Sequence, residues 1–255
     1  MKSTSSGKPD AMAGDIIFLL FMKGWKMSEK SKIAIIGGTG NLGRGLAWRW
    51  AKAGHEVIIG SRTREKAQHV ADELNQRLGQ NRIGAADNSS ATAAAQLVVL
   101  TVPFSAHDDV LRSIKPALSG QILIDTTVPL RPPAVSVAQL PEEGSAAEIT
   151  QQIVGNRAEV VSAFHNAAAS LLESDEEIDC DILVTADLLS TRRAIKRLVE
   201  DTGCRPINAG KLANSAASEA LTSALIHINR TYKTLHSGIR ITGVVTDFNK
   251  EVVEV

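Results

Sequence analysis

Apolar and polar positions fall into alternating blocks along this chain. The run KIAII at residues 32 to 36 is branched and unbroken by polar residues, which predicts a strand covered on both faces. Residues 41 to 53 switch to helical spacing, with Leu42, Leu46, Trp50 and Ala53 on one face and Gly54 as a stop. EVIIG at 56 to 60 predicts a second strand, and residues 63 to 79 a helix turning Ala67, Val70, Ala71, Leu74 and Leu78 inward. Further strands are predicted at 82 to 86, 97 to 102 and 121 to 127, separated by helical segments. The helix between the last two, about 105 to 118, uses Val110, Leu111, Ile114 and Leu118. A helix at 145 to 154 and a sixth strand at 159 to 164 complete the rhythm. Buried strands alternating with helices specify an α/β fold built on a doubly wound parallel sheet.

Beyond Phe164 the pattern continues on a smaller scale, with a strand at 181 to 186, a helix at 190 to 203, a short strand or turn at 204 to 210 and a final helix at 215 to 232. The expected organisation is an N-terminal extension over 1–30, a nucleotide-binding domain over 31–164 and a smaller C-terminal α/β domain over 165–255. In the extension, the apolar stretch at 16 to 22 is too short to span a bilayer. Asp15 and the Lys23–Lys26 flank suit a signal peptide poorly, so a disordered or loosely packed tail on a cytoplasmic protein is expected. The segment 129 to 144 carries four prolines and reads as a loop. It follows a strand's carboxyl end, the edge where open α/β sheets bind ligands.

Composition narrows the function classes. The 28 basic and 28 acidic side chains cancel, so no cationic surplus supports nucleic-acid binding. Aromatic residues are 4% of the chain, too few for a base-stacking platform. Cys180 and Cys204 are read as reduced core thiols, and no Cys or His cluster has metal-ligand spacing.

Gly38, Gly40 and Gly43 form G-x-G-x-x-G between a predicted strand and a predicted helix. In that setting Gly38 permits a tight turn, Gly40 lets backbone approach a pyrophosphate, and Gly43 lets helix and strand pack closely. The free N–H groups and positive end of the helix then face the anion. An NAD site wants a carboxylate about 20 residues past the glycines to bond the ribose 2′-hydroxyl. That place holds Ser61 and Arg62, with Arg64 and Lys66 just beyond, which suits the 2′-phosphate of NADP(H).

GGTGNLGRGLA, GHEVIIGSR with Lys66, VLTVP at 99 to 103, SAAEI at 145 to 149, VVSAFH at 160 to 165 and RPINAGKLANS at 205 to 215 occur in order. Together they resemble the NADPH-dependent coenzyme F420 reductases, from about Lys32 to Gly243. The resemblance implies a Rossmann-type fold and hydride transfer between NADP(H) and the deazaflavin coenzyme F420, from one flat ring's carbon to the other's. It implies that Thr39, Gly40, Asn41 and Leu42 cradle the pyrophosphate and that Ser61, Arg62 and Lys66 take the 2′-phosphate. Val102, Pro103 and Val128 would touch the nicotinamide half, and His165 would line the deazaflavin site. Such a reaction depends on stacking the rings, so no catalytic acid–base residue and no metal is expected.

Three features depart from the family pattern near the expected acceptor pocket: Asn166-Ala167-Ala168-Ala169 after His165, Phe104 where tryptophan is common, and the proline-rich loop. The alternatives are therefore an NADP(H)-dependent reductase with a flavin, quinone or small carbonyl acceptor, or a non-catalytic NADP sensor. A homodimer acting on a small-molecule co-substrate, with no membrane or nucleic-acid partner, is the expected setting.

Overall fold

The computed structural model describes residues 30–244 together with Phe248. The expected extension, apart from Lys30, lies outside the described residues. Six parallel strands form one sheet in the order β3-β2-β1-β4-β5-β6. They are β1 (Lys32–Ile36), β2 (Glu56–Ser61), β3 (Ile83–Asp87), β4 (Leu97–Leu100), β5 (Gln121–Asp125) and β6 (Ala158–Ser162). The expected doubly wound sheet is thus present. Its topological switch point, where the strand order reverses and a crevice opens, lies between β1 and β4. The unbroken apolar runs have the cause inferred from sequence: Ile33, Ala34, Ile35, Ile36 and all four residues of β4 are fully buried, because helices cover both faces.

The helices of this layer are α1 (Asn41–Ala53), α2 (Arg64–Leu78), α3 (Asn88–Ala94), α4 (His107–Ile114) and α5 (Ala146–Val154). In α1 the expected stripe holds for Leu46 and Trp50, while Leu42 and Ala53 are only half-buried. Gly45, Ala47, Trp48 and Ala51 are buried instead, since a short helix α6 (Ala169–Leu172) covers a second face of α1. The approach is so close that a Cβ on Gly45 would lie 2.7 Å from Leu172 Cβ and 3.0 Å from the Ala169 carbonyl oxygen. Leu78 of α2 is half-buried as well. The helix expected over 105 to 118 breaks into a 3-10 turn at Phe104–Ala106, α4, and a second 3-10 turn at Lys115–Ala117. Pro116 explains the second break, because proline supplies no N–H and clashes with the preceding turn.

A second, two-stranded parallel sheet follows, with β7 (Asp181–Val184) beside β8 (Arg205–Asn208) and α7 (Leu189–Glu200) crossing between them. Pro206 is tolerated there because β8 has one strand neighbour and one free side. Ser162 and Thr185 exchange backbone hydrogen bonds of 2.9 and 3.1 Å, which joins the end of β6 to this smaller part. Asn166 donates to the Asp181 carbonyl at 2.7 Å and to Cys180 Sγ at 3.1 Å. The Asn166–Ala169 departure therefore has a packing role here: its asparagine pins β7 and its alanines lead into the close contact with α1. Cys180 and Cys204 are buried, unpaired thiols, as expected, and burial pushes Cys204 up to about 11. The last helix is α8 (Ser215–Tyr232). Among the described residues, no helix is long and apolar enough to cross a membrane.

Candidate nucleotide site and its surroundings

The β1–α1 connection is built from glycines with three different constraints. Gly37 adopts φ 78°, so the left-handed turn falls on it and not on Gly38, where sequence reasoning placed it. A side chain on Gly38 would still meet the Ile35 carbonyl at 2.8 Å, and one on Gly43 would sit 2.6 Å from Gly38 Cα. Gly40 is different: its nearest neighbour would be the Gly37 carbonyl at 3.6 Å, so the space above it is open. Gly40 is also the N-cap of α1, and no side chain caps that end. The first N–H groups of α1 are consequently available to an anion.

Above this turn lies a cavity of about 900 Å³ at the carboxyl ends of β1, β2 and β4. Thr39, Gly40, Ser61, Arg62, Lys66, Val102 and Pro103 line it, which brings together most of the residues named from sequence. Gly38 and Gly43 lie beneath the turn as packing residues. Asn41, Leu42, Val128 and His165 are not part of the cavity lining. Gly37, Thr63, Asn88, Thr101, Ser105 and Asp109 do line it and were not anticipated. The doublet Gly37-Gly38 could have signalled the first of these, and position after a strand's carboxyl end could have signalled Asn88.

The cavity has a cationic end and an apolar end. Among the described residues, the exposed Arg62 and Lys66 side chains have neither a hydrogen bond nor an ion pair, so their charge is free for a ligand. Glu65 stands exposed in the first turn of α2, where it favours the helix dipole. At the other end, Thr101 donates to the Ile36 carbonyl through both its amide (2.8 Å) and its hydroxyl (3.0 Å), holding the Val102-Pro103 exit over the glycine turn. This shape suits a phosphate-bearing ligand whose far end is a flat, weakly polar ring.

Behind the apolar end a buried network joins three elements. His107 Nε2 lies 3.0 Å from Asp125 Oδ2 and 2.8 Å from Thr150 Oγ1, and the Thr150 hydroxyl donates to the same carboxylate oxygen at 2.5 Å. The Thr127 amide donates to Asp125 Oδ1 at 2.8 Å, which fixes the strand exit leading to Val128. Burial by itself would raise Asp125, yet these bonds hold it below the usual carboxylate range. Burial likewise pulls His107 down, but Asp125 and Asp108 outweigh it and leave the imidazole raised.

His165 follows Phe164, a non-glycine residue at φ 69°, where the chain leaves β6. His165 is 6% exposed, and neither ring nitrogen makes a well-formed hydrogen bond among the described residues. Burial drives its pKa down to about 4, against small raising effects from Asp125 and the backbone at Thr127. The ring is therefore neutral at pH 7. The α8 helix backs this region: Thr222 donates to the His165 carbonyl at 3.0 Å. Glu219 accepts from the Ala146 and Ala147 amides at 2.7 and 3.2 Å, holding the first turn of α5. The SAAEI and KLANS motifs noted in the sequence thus meet at the same place, through Ser215 Oγ and Ser145 Oγ 2.7 Å apart.

A family described as NADP oxidoreductase, coenzyme F420-dependent, matches residues 32–129. An F420-dependent NADP reductase from Methanothermobacter thermautotrophicus is 42% identical over 222 residues, covering 84% of this chain and 95% of that protein. One from Methanocaldococcus jannaschii is 36% identical over 225 residues, covering 84% and 99%. A hypothetical protein from Sinorhizobium meliloti with a solved structure shares the fold, at TM-score 0.59 and 23% identity over 78% of this chain and 91% of its own.

Proposed function

The chain belongs to the F420-dependent NADP reductase family, and from that membership we propose that it transfers a hydride between NADP(H) and coenzyme F420. The observation that carries the nucleotide half is the cavity above the glycine turn, with unpaired Arg62 and Lys66 at one end and Val102-Pro103 at the other. The two rings would supply the redox chemistry, a hydride exchanged between the nicotinamide C4 and the deazaflavin C5, with one proton taken up when the deazaflavin is reduced and released when it is oxidised. What the chain contributes is placement. The open N–H groups of α1 around Gly40, Asn41 and Leu42 receive the pyrophosphate. Ser61, Arg62 and Lys66 receive the 2′-phosphate, and Val102 and Pro103 wall the nicotinamide.

The acceptor belongs beside His165 in this reading. A buried ring with two unsatisfied nitrogens is costly unless a ligand pairs with it, and a neutral imidazole offers one donor and one acceptor. Residues 165–255 then act as a smaller C-terminal domain that completes the acceptor site, and the working form is a cytoplasmic homodimer.

The test follows NADPH oxidation spectrophotometrically with purified coenzyme F420 beside FMN, FAD and a quinone. Turnover with F420 alone supports the reading, and faster turnover with another acceptor overturns it. In the same assay His165→Ala should raise the KM for F420 more than it lowers kcat, as expected when uniform binding is removed.

A further inference from the structure

We propose that Asn88 is a specificity-determining residue for NADP(H), donating from its side-chain amide to the 2′-phosphate. The inference rests on the cavity being the NADP(H) site. Asn88 stands at the start of α3, immediately after Asp87, and Asp87 pairs in parallel register with Ser61. The pairing of β2 with β3 therefore carries Asn88 to the level of Arg62, and Asn88 lines the same cavity.

The helix cap does not need Asn88. Asp87 provides it, accepting from the Ser90 amide at 2.9 Å and from the Ser90 hydroxyl at 2.6 Å. Among the described residues the Asn88 side chain makes no hydrogen bond, while its backbone carbonyl accepts from Thr92 Oγ1 at 2.8 Å. Its side-chain oxygen is buried without a partner and leans over Gly60, where a Cβ would come within 3.1 Å of it. Gly60 lies outside the glycine motif, and the missing side chain there makes room for this amide.

That placement orients the amide. An oxygen is tolerated against the Gly60 Cα–H groups, which are weakly attractive to it, whereas an NH2 group turned inward would face them with no acceptor. The Nδ2 donors are left for the cavity, beside the free cations of Arg62 and Lys66. A neutral donor aimed at a dianion strengthens its binding and adds direction to two flexible cations. For NADH the same donors would find only a ribose hydroxyl, so the effect falls on the choice between nucleotides.

Calorimetric titration of the full chain with NADPH, NADH and adenosine 2′,5′-bisphosphate tests this. Asn88→Asp keeps the shape and replaces the donor by a carboxylate, and Asn88→Ala removes it. Asn88→Ala should raise the Kd for NADPH and for the bisphosphate roughly tenfold or more. Asn88→Asp should raise both further, while the Kd for NADH stays nearly constant in each variant. Equal weakening of NADPH and NADH, or no change in either, overturns the proposal. Wild-type protein that fails to prefer NADPH over NADH overturns instead the NADP(H) reading beneath it, so the two failures are distinguishable.

Discussion

Replacing His165 by glutamine should change how stability depends on pH, by an amount set by where the ring sits. The folded protein holds the imidazole neutral down to about pH 4 because the ring is buried, whereas an unfolded chain protonates it near 6.5. As pH falls from 6.5 toward 4, the unfolded state gains a proton that the folded state refuses, so this residue's contribution to stability is lost in that window. One pKa unit corresponds to about 1.4 kcal/mol, and integrating to pH 5 gives a loss of about 2 kcal/mol relative to pH 8. Other groups move in the opposite sense over the same range. Burial raises Glu219 to about 8 against the pull of the Ala146 and Ala147 amides, so its protonation stabilises the fold as pH falls. The raised His107 acts in the same direction. The wild-type curve alone is therefore not diagnostic, and the difference between wild type and His165→Gln is. Urea unfolding at pH 8, 7, 6 and 5, fitted with a common m-value, measures it. The glutamine variant should gain about 2 kcal/mol on wild type between pH 8 and 5. A difference that stays flat within about 0.5 kcal/mol across that range would refute a ring kept neutral by burial.

Other substitutions separate binding from folding. Arg62→Ala should raise the NADPH dissociation constant roughly 10–150-fold, the loss of a charge-assisted phosphate contact, with little change for NADH in a fluorescence titration. Gly40→Ala and Gly43→Ala form a contrasting pair. The Gly40 Cβ finds nothing nearer than 3.6 Å, so melting should be unchanged while NADPH affinity drops. The Gly43 Cβ meets Gly38 Cα at 2.6 Å and should destabilise the fold by about 1–3 kcal/mol as well as weaken binding. Similar melting of the two variants would contradict the geometry. Trp50 is fully buried, donates to the Leu198 carbonyl at 2.9 Å and meets the Phe164 ring edge-on. Trp50→Ala should therefore lower Tm by roughly 6–20 °C in a thermal scan.

The local parts of the fold and site were legible in the residues themselves. Continuous apolar runs announced buried parallel strands, and alternation with helices announced the doubly wound sheet, because both patterns follow from burial on two faces. Glycine spacing announced the open turn at the start of α1, and the sequence placed Ser61, Arg62 and Lys66 at the strand exit where they line the cavity, because neighbouring residues carry that geometry. What only tertiary structure decided depends on chain segments far apart in sequence. The covering of α1 by residues 169 to 172 needed Gly45 to meet Leu172, which no helical periodicity encodes. Gly37, which takes the left-handed turn, is also crowded by Thr101 and Val102 where the chain leaves β4. The network of His107, Asp125 and Thr150 assembles three elements, and its members look like ordinary surface polar residues in sequence. Asn88 reaches the cationic end of the cavity only because β3 pairs with β2, with Asp87 beside Ser61. Local propensity is written in short windows, whereas these contacts exist only once the sheet register has been set, and that register is a property of the whole packed core.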